Sequence, residues 1–188
     1  MKKIMICVIS LFLLLSIFIL FYFINLWAPD KLTRSTDLSS ESIGGFKIHD
    51  SINGLSFKKR YGRPMSREDN DLYDYYQWKG GLETASIRSG SGKGAIIRFI
   101  IAGPVGADGA IIDRFGNSLR TSRGIKLGDS KKKVISQYGK HYYKFFDDGS
   151  GEYAIGYVDH NRGLKLEFEL TYDSHQVDKI VLEDEKVE

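Results

Sequence analysis

The 188-residue chain has one cysteine, Cys7, and only 3 prolines. A lone cysteine closes no disulfide and builds no thiolate metal site, so the fold must rest on packed apolar side chains. Charge of either sign in excess is also missing. The formal net charge is +3; Lys2 and Lys3 supply two of it, leaving 3 − 2 = +1 for residues 4–188. So even a balance is no electrostatic footprint for a nucleic-acid partner, and none is expected.

Catalytic and cofactor patterns are scarce as well. His49, His141, His160 and His175 show no i, i+2 or i, i+4 spacing for a metal. No serine or cysteine sits in a nucleophile elbow. Gly90-Ser91-Gly92-Lys93-Gly94 looks like a phosphate loop, but Lys93 is followed by Gly94 rather than Ser or Thr, and strand-like segments flank it on both sides. It reads as a hairpin turn. Asp147-Asp148-Gly149-Ser150-Gly151-Glu152 collects carboxylates without the alternation that surrounds a calcium ion, and reads as a polar turn. No catalytic residue, metal or cofactor is expected.

A long apolar run is present. Residues 4–24 carry no charge and are interrupted only by Cys7, Ser10, Ser16 and Tyr22. Extended through Trp27, the run is about 36 Å long as a helix, enough for a hydrocarbon core of about 30 Å. Lys2 and Lys3 precede it, which places the N-terminus in the cytoplasm and the rest outside. A cleaved signal peptide would have a shorter apolar core and a small-x-small site; here Asn25 stands at that site. Residues 1–28 are therefore expected to be an uncleaved single-pass anchor in the cell membrane, touching lipid through residues 4–27. The Ser- and Thr-rich segment 29–44 is expected to be a mobile polar linker that lets the domain stand off the membrane.

The remaining chain writes one phrase twice. Gly45-Phe46-Lys47-Ile48-His49-Asp50-Ser51 is matched by Gly124-Ile125-Lys126-Leu127-Gly128-Asp129-Ser130, and each copy runs on to Tyr-Gly, at Tyr61-Gly62 and Tyr138-Gly139. The offsets are 124 − 45 = 79 and 138 − 61 = 77, so a two-residue indel separates the copies. A period this long points to a duplicated module rather than a solenoid. Modules at 45–119 and 120–188 are expected. Each begins with a helix, at roughly 51–61 and at 130–138, capped by Asp50 or Ser51 and by Asp129, and stopped by the glycine; Asn53-Gly54 weakens the first turn of the first, so a broken or two-part helix is the alternative there. Strands are expected at 73–78, 82–89, 95–102 and 109–115, then at 142–146, 152–159, 164–170 and 177–183. Leu164, Leu166, Phe168 and Leu170 alternate with Lys165, Glu167 and Glu169, the pattern of a sheet covered on one face. The expected fold class is α+β: an N-terminal transmembrane helix, then two tandem α-β4 modules forming one roughly eight-stranded antiparallel sheet with both helices on one face.

The two lead-in phrases with their Tyr-Gly closures resemble those of the tandem-module β-lactamase inhibitor protein and, for a single module, the small outer-membrane assembly lipoproteins (SmpA/OmlA), over roughly residues 44–184. The resemblance implies the fold and binding to other proteins. It transfers no contact residue, because the lead-in positions are structural, and His49 departs from its second glycine.

Aromatic segments 73–78 and 142–146 send alternate side chains to opposite sheet faces. One half is core. The other half is expected on the open face beside charged residues, a mixture typical of protein-binding surfaces. The candidate protein-binding residues are Tyr73, Tyr75, Arg98, Tyr143, Lys165, Glu167 and Glu169, and a protein partner is expected. The leading expectation is thus a membrane-anchored extracytoplasmic interaction module without catalytic activity. The alternative is a small-ligand-binding or enzymatic protein using a cleft between the modules; a plain structural role in membrane or wall is the third. Lys131-Lys132-Lys133, in the first turn of a helix, reads as a solvated face, with contact to anionic headgroups or wall polymers as the functional alternative.

Overall fold

The computed structural model describes residues 9–10, 12–19, 28–103, 119–147 and 152–187. The protein is α+β, built on one eight-stranded antiparallel sheet with few helices. After the helical residues 12–19 come short helix α1 (Pro29–Leu32), α2 (Leu55–Tyr61) and strands β1 (Ser66–Asp69), β2 (Tyr73–Gln77), β3 (Leu82–Ile87) and β4 (Ile96–Ala102). The second half supplies α3 (Lys131–Tyr138), β5 (Tyr143–Asp147), β6 (Glu152–Asp159), β7 (Leu164–Leu170) and β8 (Val177–Asp184), closed by a 3-10 turn over Glu185–Val187. The spatial order is β1-β2-β3-β4-β8-β7-β6-β5. Each half is a four-stranded meander, and the last strand of each pairs antiparallel with the other, Phe99 opposite Leu182 and Ile101 opposite Ile180. The order reads the same from either edge, as a duplication related by a two-fold through the β4–β8 seam would give.

The lead-in phrases adopt one geometry. Asp50 Oδ2 accepts from the Lys47 amide at 2.8 Å and Asp129 Oδ2 from the Lys126 amide at 2.9 Å. The first phrase then trades backbone bonds with the start of β4, His49 N to Ile96 O and Ile96 N to Asp50 O. The second does the same with β8, Gly128 N to Val177 O and Val177 N to Asp129 O. Each phrase thereby fixes where its module's last strand begins and where its helix starts. The indel falls before α2: residues 51–54 form turns and the helix begins at Leu55 with Gly54 as its cap, so it is shorter than the expected 51–61. In the second module Ser130 caps α3 by accepting from the Lys133 amide.

Helices α2 and α3 pack on the same sheet face. Phe57 and Tyr61 of α2 lie against Trp78, and Tyr138 of α3 against Tyr157 and Phe168. Leu82, Phe99, Ile101, Leu166, Ile180 and Leu182 complete this core from the strands.

The strand count of the first half and the linker differ from expectation. Strand β1 was not foreseen, because Ser66-Arg67-Glu68-Asp69 is polar and exposed along its whole length, with no alternation to read. The strand expected at 109–115 lies outside the described residues, so β1 is what makes the first meander four-stranded. The segment 29–44, expected as a mobile tether, is a strap seated on the second half: Thr36 N donates to Val158 O, and Leu38 N to the buried Asp159 carboxylate. Leu38 and Ile43 belong to the core.

Among the described residues no helix is long and apolar enough to cross a membrane. Much of the expected anchor, residues 1–8, 11 and 20–27, lies outside the described residues. The described part is helical at 12–19, and its Phe12, Leu13, Leu14, Leu15, Ile17, Phe18 and Ile19 are all exposed.

Candidate functional site: the sheet face opposite the helices

The strand registers place side chains without ambiguity. Phe168, Ile180, Ile101 and Leu82 meet in successive rungs on the helix side. Their neighbours one residue along must then point the other way. All seven candidate residues, Tyr73, Tyr75, Arg98, Tyr143, Lys165, Glu167 and Glu169, fall on that opposite face. Tyr75 stands across from Ala85 and Ala85 from Arg98; Lys165 stands across from Glu183, and Glu167 from Gly156 and Val181.

Five side chains form a line across this face. Arg98 Nε donates to Glu183 Oε2 at 2.6 Å. Lys165 Nζ lies 2.6 Å from Glu183 Oε1 and 3.7 Å from Glu167 Oε2. The Tyr143 hydroxyl donates to Glu167 Oε1 at 2.6 Å. Alongside, Lys179 pairs with Glu169 at 2.7 Å. Burial alone would pull the Lys165 ammonium below its ordinary value, but Glu167 and Glu183 outweigh it and the net shift is upward. Burial, then the Glu167 carboxylate, pushes the Tyr143 phenol well above the usual tyrosine range, so it stays a neutral donor. Tyr143 is buried because it lies flat over Gly156, where a Cβ would overlap its ring. Glu183 was missed as a candidate. The alternation of Lys179, Val181 and Glu183 along β8 carried the signal, since those positions share the face of Lys165 and Glu167.

The face is not uniform. On the β1–β4 half a groove of about 210 Å3 is lined by Glu68, Tyr75, Gln77, Glu83, Arg98 and Ile100 among others. Tyr75 is 37% exposed there, and its hydroxyl accepts from Asn70 Nδ2. Tyr73 is drawn away from the groove, its hydroxyl donating to the carbonyl of Val187. On the β5–β6 half the face is not open as expected. Helix α1 lies against β5 and β6, and residues 28–31 edge a hollow of about 500 Å3 shared with Tyr143, Phe145, Lys165, Glu167 and Glu169. Between the halves, over the β4–β8 seam, the hollow bounded by Tyr73, Arg98, Glu183 and Val187 is about 80 Å3.

A second polar knot lies at the root of the strap. The buried Glu41 carboxylate accepts from Ser42 N, from Ser122 N and Oγ, and from the Tyr138 hydroxyl at 2.8 Å. Burial, followed by the nearby Glu41 charge, raises the Tyr138 phenol above the usual range. The knot ties strap, second lead-in and α3 together, and all its partners are internal.

The other motifs resolve plainly. Residues 90–94 form the β3–β4 turn, with Gly94 N bonded to Ile87 O. Among the described residues no group of three or more His, Cys, Asp or Glu could hold a metal. His49 pairs with Asp184 at 2.7 Å, and His160 with the Thr33 carbonyl. The 147–152 turn lies largely outside the described residues. Lys131 binds the Tyr153 hydroxyl and Lys133 pairs with Asp129, so two of the three consecutive lysines are engaged within the fold.

No protein-family model matches the chain, and no curated protein matches it. Among solved structures it is similar to a cysteine-rich secretory protein from Staphylococcus aureus subsp. aureus Mu50, at 10% identity and a TM-score of 0.48, over 84% of this chain and 49% of that one. It is also similar to an extracellular SCP-domain protein from Bacillus anthracis str. Ames, at 9% identity and a TM-score of 0.39, over 75% and 48% respectively. The chain spans about half the length of each. Likeness at this level identifies no family.

Proposed function

We propose that this chain is a membrane-anchored, extracytoplasmic protein-interaction module without catalytic activity, and that the sheet face opposite the helices is its binding surface. The single observation that carries the reading is the groove on the β1–β4 half, whose lining mixes Tyr75, Arg98 and Ile100 with Glu68, Gln77 and Glu83. Aromatic and Arg side chains among polar ones are the usual composition of a protein-binding surface. The groove, at about 210 Å3, is below the roughly 300–1,000 Å3 of small-molecule sites and suits one anchoring side chain of a partner protein. Its two carboxylates favour a Lys or Arg as that anchor.

The anchor reading is supported by the exposed apolar side chains of residues 12–19. The charge-free run 4–24 behind Lys2 and Lys3 gives the orientation. The kinship proposed with the β-lactamase inhibitor and SmpA/OmlA modules rests on the lead-in phrases and accords with protein binding. A ligand cleft between the modules is less well supported, since β4 and β8 pair directly and the hollow over their seam is small.

The test is cross-linking of the full-length protein in intact cells, wild type against Tyr75→Ala and Glu68→Lys. These replace the obvious charge reversals at Arg98 and Glu167, which would strand Glu183 and Lys165 and so confuse binding with folding. One partner captured by the wild type and lost from both variants, with melting unchanged, is the expected result. Equal capture by all three removes the groove from the binding surface.

A further inference from the structure

Strand β5 is a sheet edge, and it exposes Lys144, Phe145 and Phe146 in sequence. The two phenylalanines are 44% and 51% exposed and point to opposite faces. An apolar edge strand of this kind invites pairing or aggregation unless something covers it. What lies next to it is the start of the strap. Ala28 and Pro29 share a hollow with Phe145, and α1 packs on β5 and β6.

That start is held firmly. Lys31 reaches Glu185 at 3.6 Å, the Thr33 carbonyl meets His160 Nε2 at 2.7 Å, and Thr36 N binds Val158 O at 2.7 Å. Sequence places the end of the apolar run at Trp27, one residue before Ala28, and adjacent Cα atoms are about 3.8 Å apart. If residues 4–27 span the bilayer, no slack separates its outer surface from β5.

We propose that the β5 edge seats in the headgroup layer of the bilayer, with Phe145 and Phe146 dipping toward the acyl boundary and Lys144 meeting lipid phosphate. This rests on the anchor reading above and adds to it an orientation: the domain lies on the membrane by its second half instead of standing off on a tether. Phenylalanine beside lysine is the composition of interfacial segments, where the ring is buried and the ammonium reaches the headgroups. The edge at β1, seven strands away, is then turned from the lipid. The groove bearing Tyr75 stays accessible to a protein partner.

The experiment uses full-length protein in vesicles of phosphatidylcholine and phosphatidylglycerol. In a Cys7→Ser background, single fluorophores are attached at Phe145→Cys and at Met65→Cys, which is exposed beside β1. Lys144→Cys reports on the same edge if Phe145→Cys folds poorly. Lipids carrying a nitroxide on the headgroup act as quencher. The expected result is loss of most emission from the β5 label, little loss from the label at 65, and retention of the protein in the vesicles through an alkaline wash. Retention with both labels equally bright overturns the seating and leaves the anchor standing. Release in the wash overturns the anchor, and the seating with it. Retention with bright labels and a β5-to-β5 cross-link assigns the edge to a second copy of the chain and overturns the proposal.

Discussion

The two halves of the sheet carry the same lead-in and nearly the same strands, yet they bury their polar groups differently. In the first half the helix face is closed by edge-on and tilted rings: Phe46, Phe57, Tyr61 and Trp78 lie within 6.5 Å of one another's centroids in successive pairs. In the second half Val134 takes the place of Phe57, and the space goes to hydroxyl-bearing rings whose oxygens find partners, Tyr138 on Glu41 and Tyr157 on the Gly139 carbonyl. The two halves thus share the backbone bonds that set strand register, while only the second receives the strap, and it does so through the polar contact of Glu41 with Tyr138.

The largest expected effect comes from breaking the aromatic side of that comparison. Phe57→Ala should cost about 3–5 kcal/mol, since it empties a fully buried ring site. Val134→Ala, at the matching position, should cost clearly less because it removes less buried volume. Urea unfolding of the detergent-solubilised protein measures both, and equal costs would deny that the two cores differ.

Next comes the strap. Glu41→Ala strips the acceptor from Ser122 and the buried Tyr138 hydroxyl and should destabilise by about 1–3 kcal/mol. Its signature is protease cleavage within 29–44 at concentrations the wild type survives. A variant equally resistant would mean that the remaining strap contacts suffice.

Gly128→Ala should cost about 1–2 kcal/mol. The residue has φ of 82°, and a Cβ there meets nothing within 4 Å, so the penalty is backbone strain alone. His49 occupies the same place in the first copy at φ 72° and is fastened to Asp184. His49→Gly should therefore shift stability less than Gly128→Ala, since it relieves strain while losing that contact. Thermal melts compare the two directly.

The smallest and most distributed effect is alkaline. The phenols of Tyr138, Tyr143 and Tyr157 are raised in the second half, chiefly by burial, against Tyr61 and Tyr76 in the first. A group whose folded pKa lies above its unfolded value contributes fully below the unfolded value, and that contribution falls as pH rises from it toward the folded value. For tyrosine the decline starts near pH 10. The raised Lys165 acts in the same direction. The Tyr143→Phe protein should resist alkaline unfolding to a higher pH than the wild type, followed by tyrosinate absorbance; no difference would mean that Tyr143 ionises without unfolding the second half.

Much of this was legible in one dimension. The repeated phrase announced two matching halves, because its Asp accepts the same backbone bond and its first Gly takes a positive φ in both copies. The alternation in 164–170 assigned both faces of β7, and from there a period of two carried the seven candidate residues to one side. Such patterns are local, and a chain can state them in order. The polar edge strand β1 could not be read, since pairing with β2 rather than its own composition makes it a strand. Nor could the seating of 29–44, whose Leu38, Glu41 and Ile43 become buried only because residues some eighty to 120 positions later supply the walls. The ion line from Arg98 to Tyr143 joins four strands from both halves, and the β4–β8 seam alone brings Arg98 to Glu183. Local pattern specified most of the strands, helices α2 and α3, and their faces. Which faces were covered, and by what, depended on contacts distant in sequence, because only the assembled sheet brings those groups within hydrogen-bonding range.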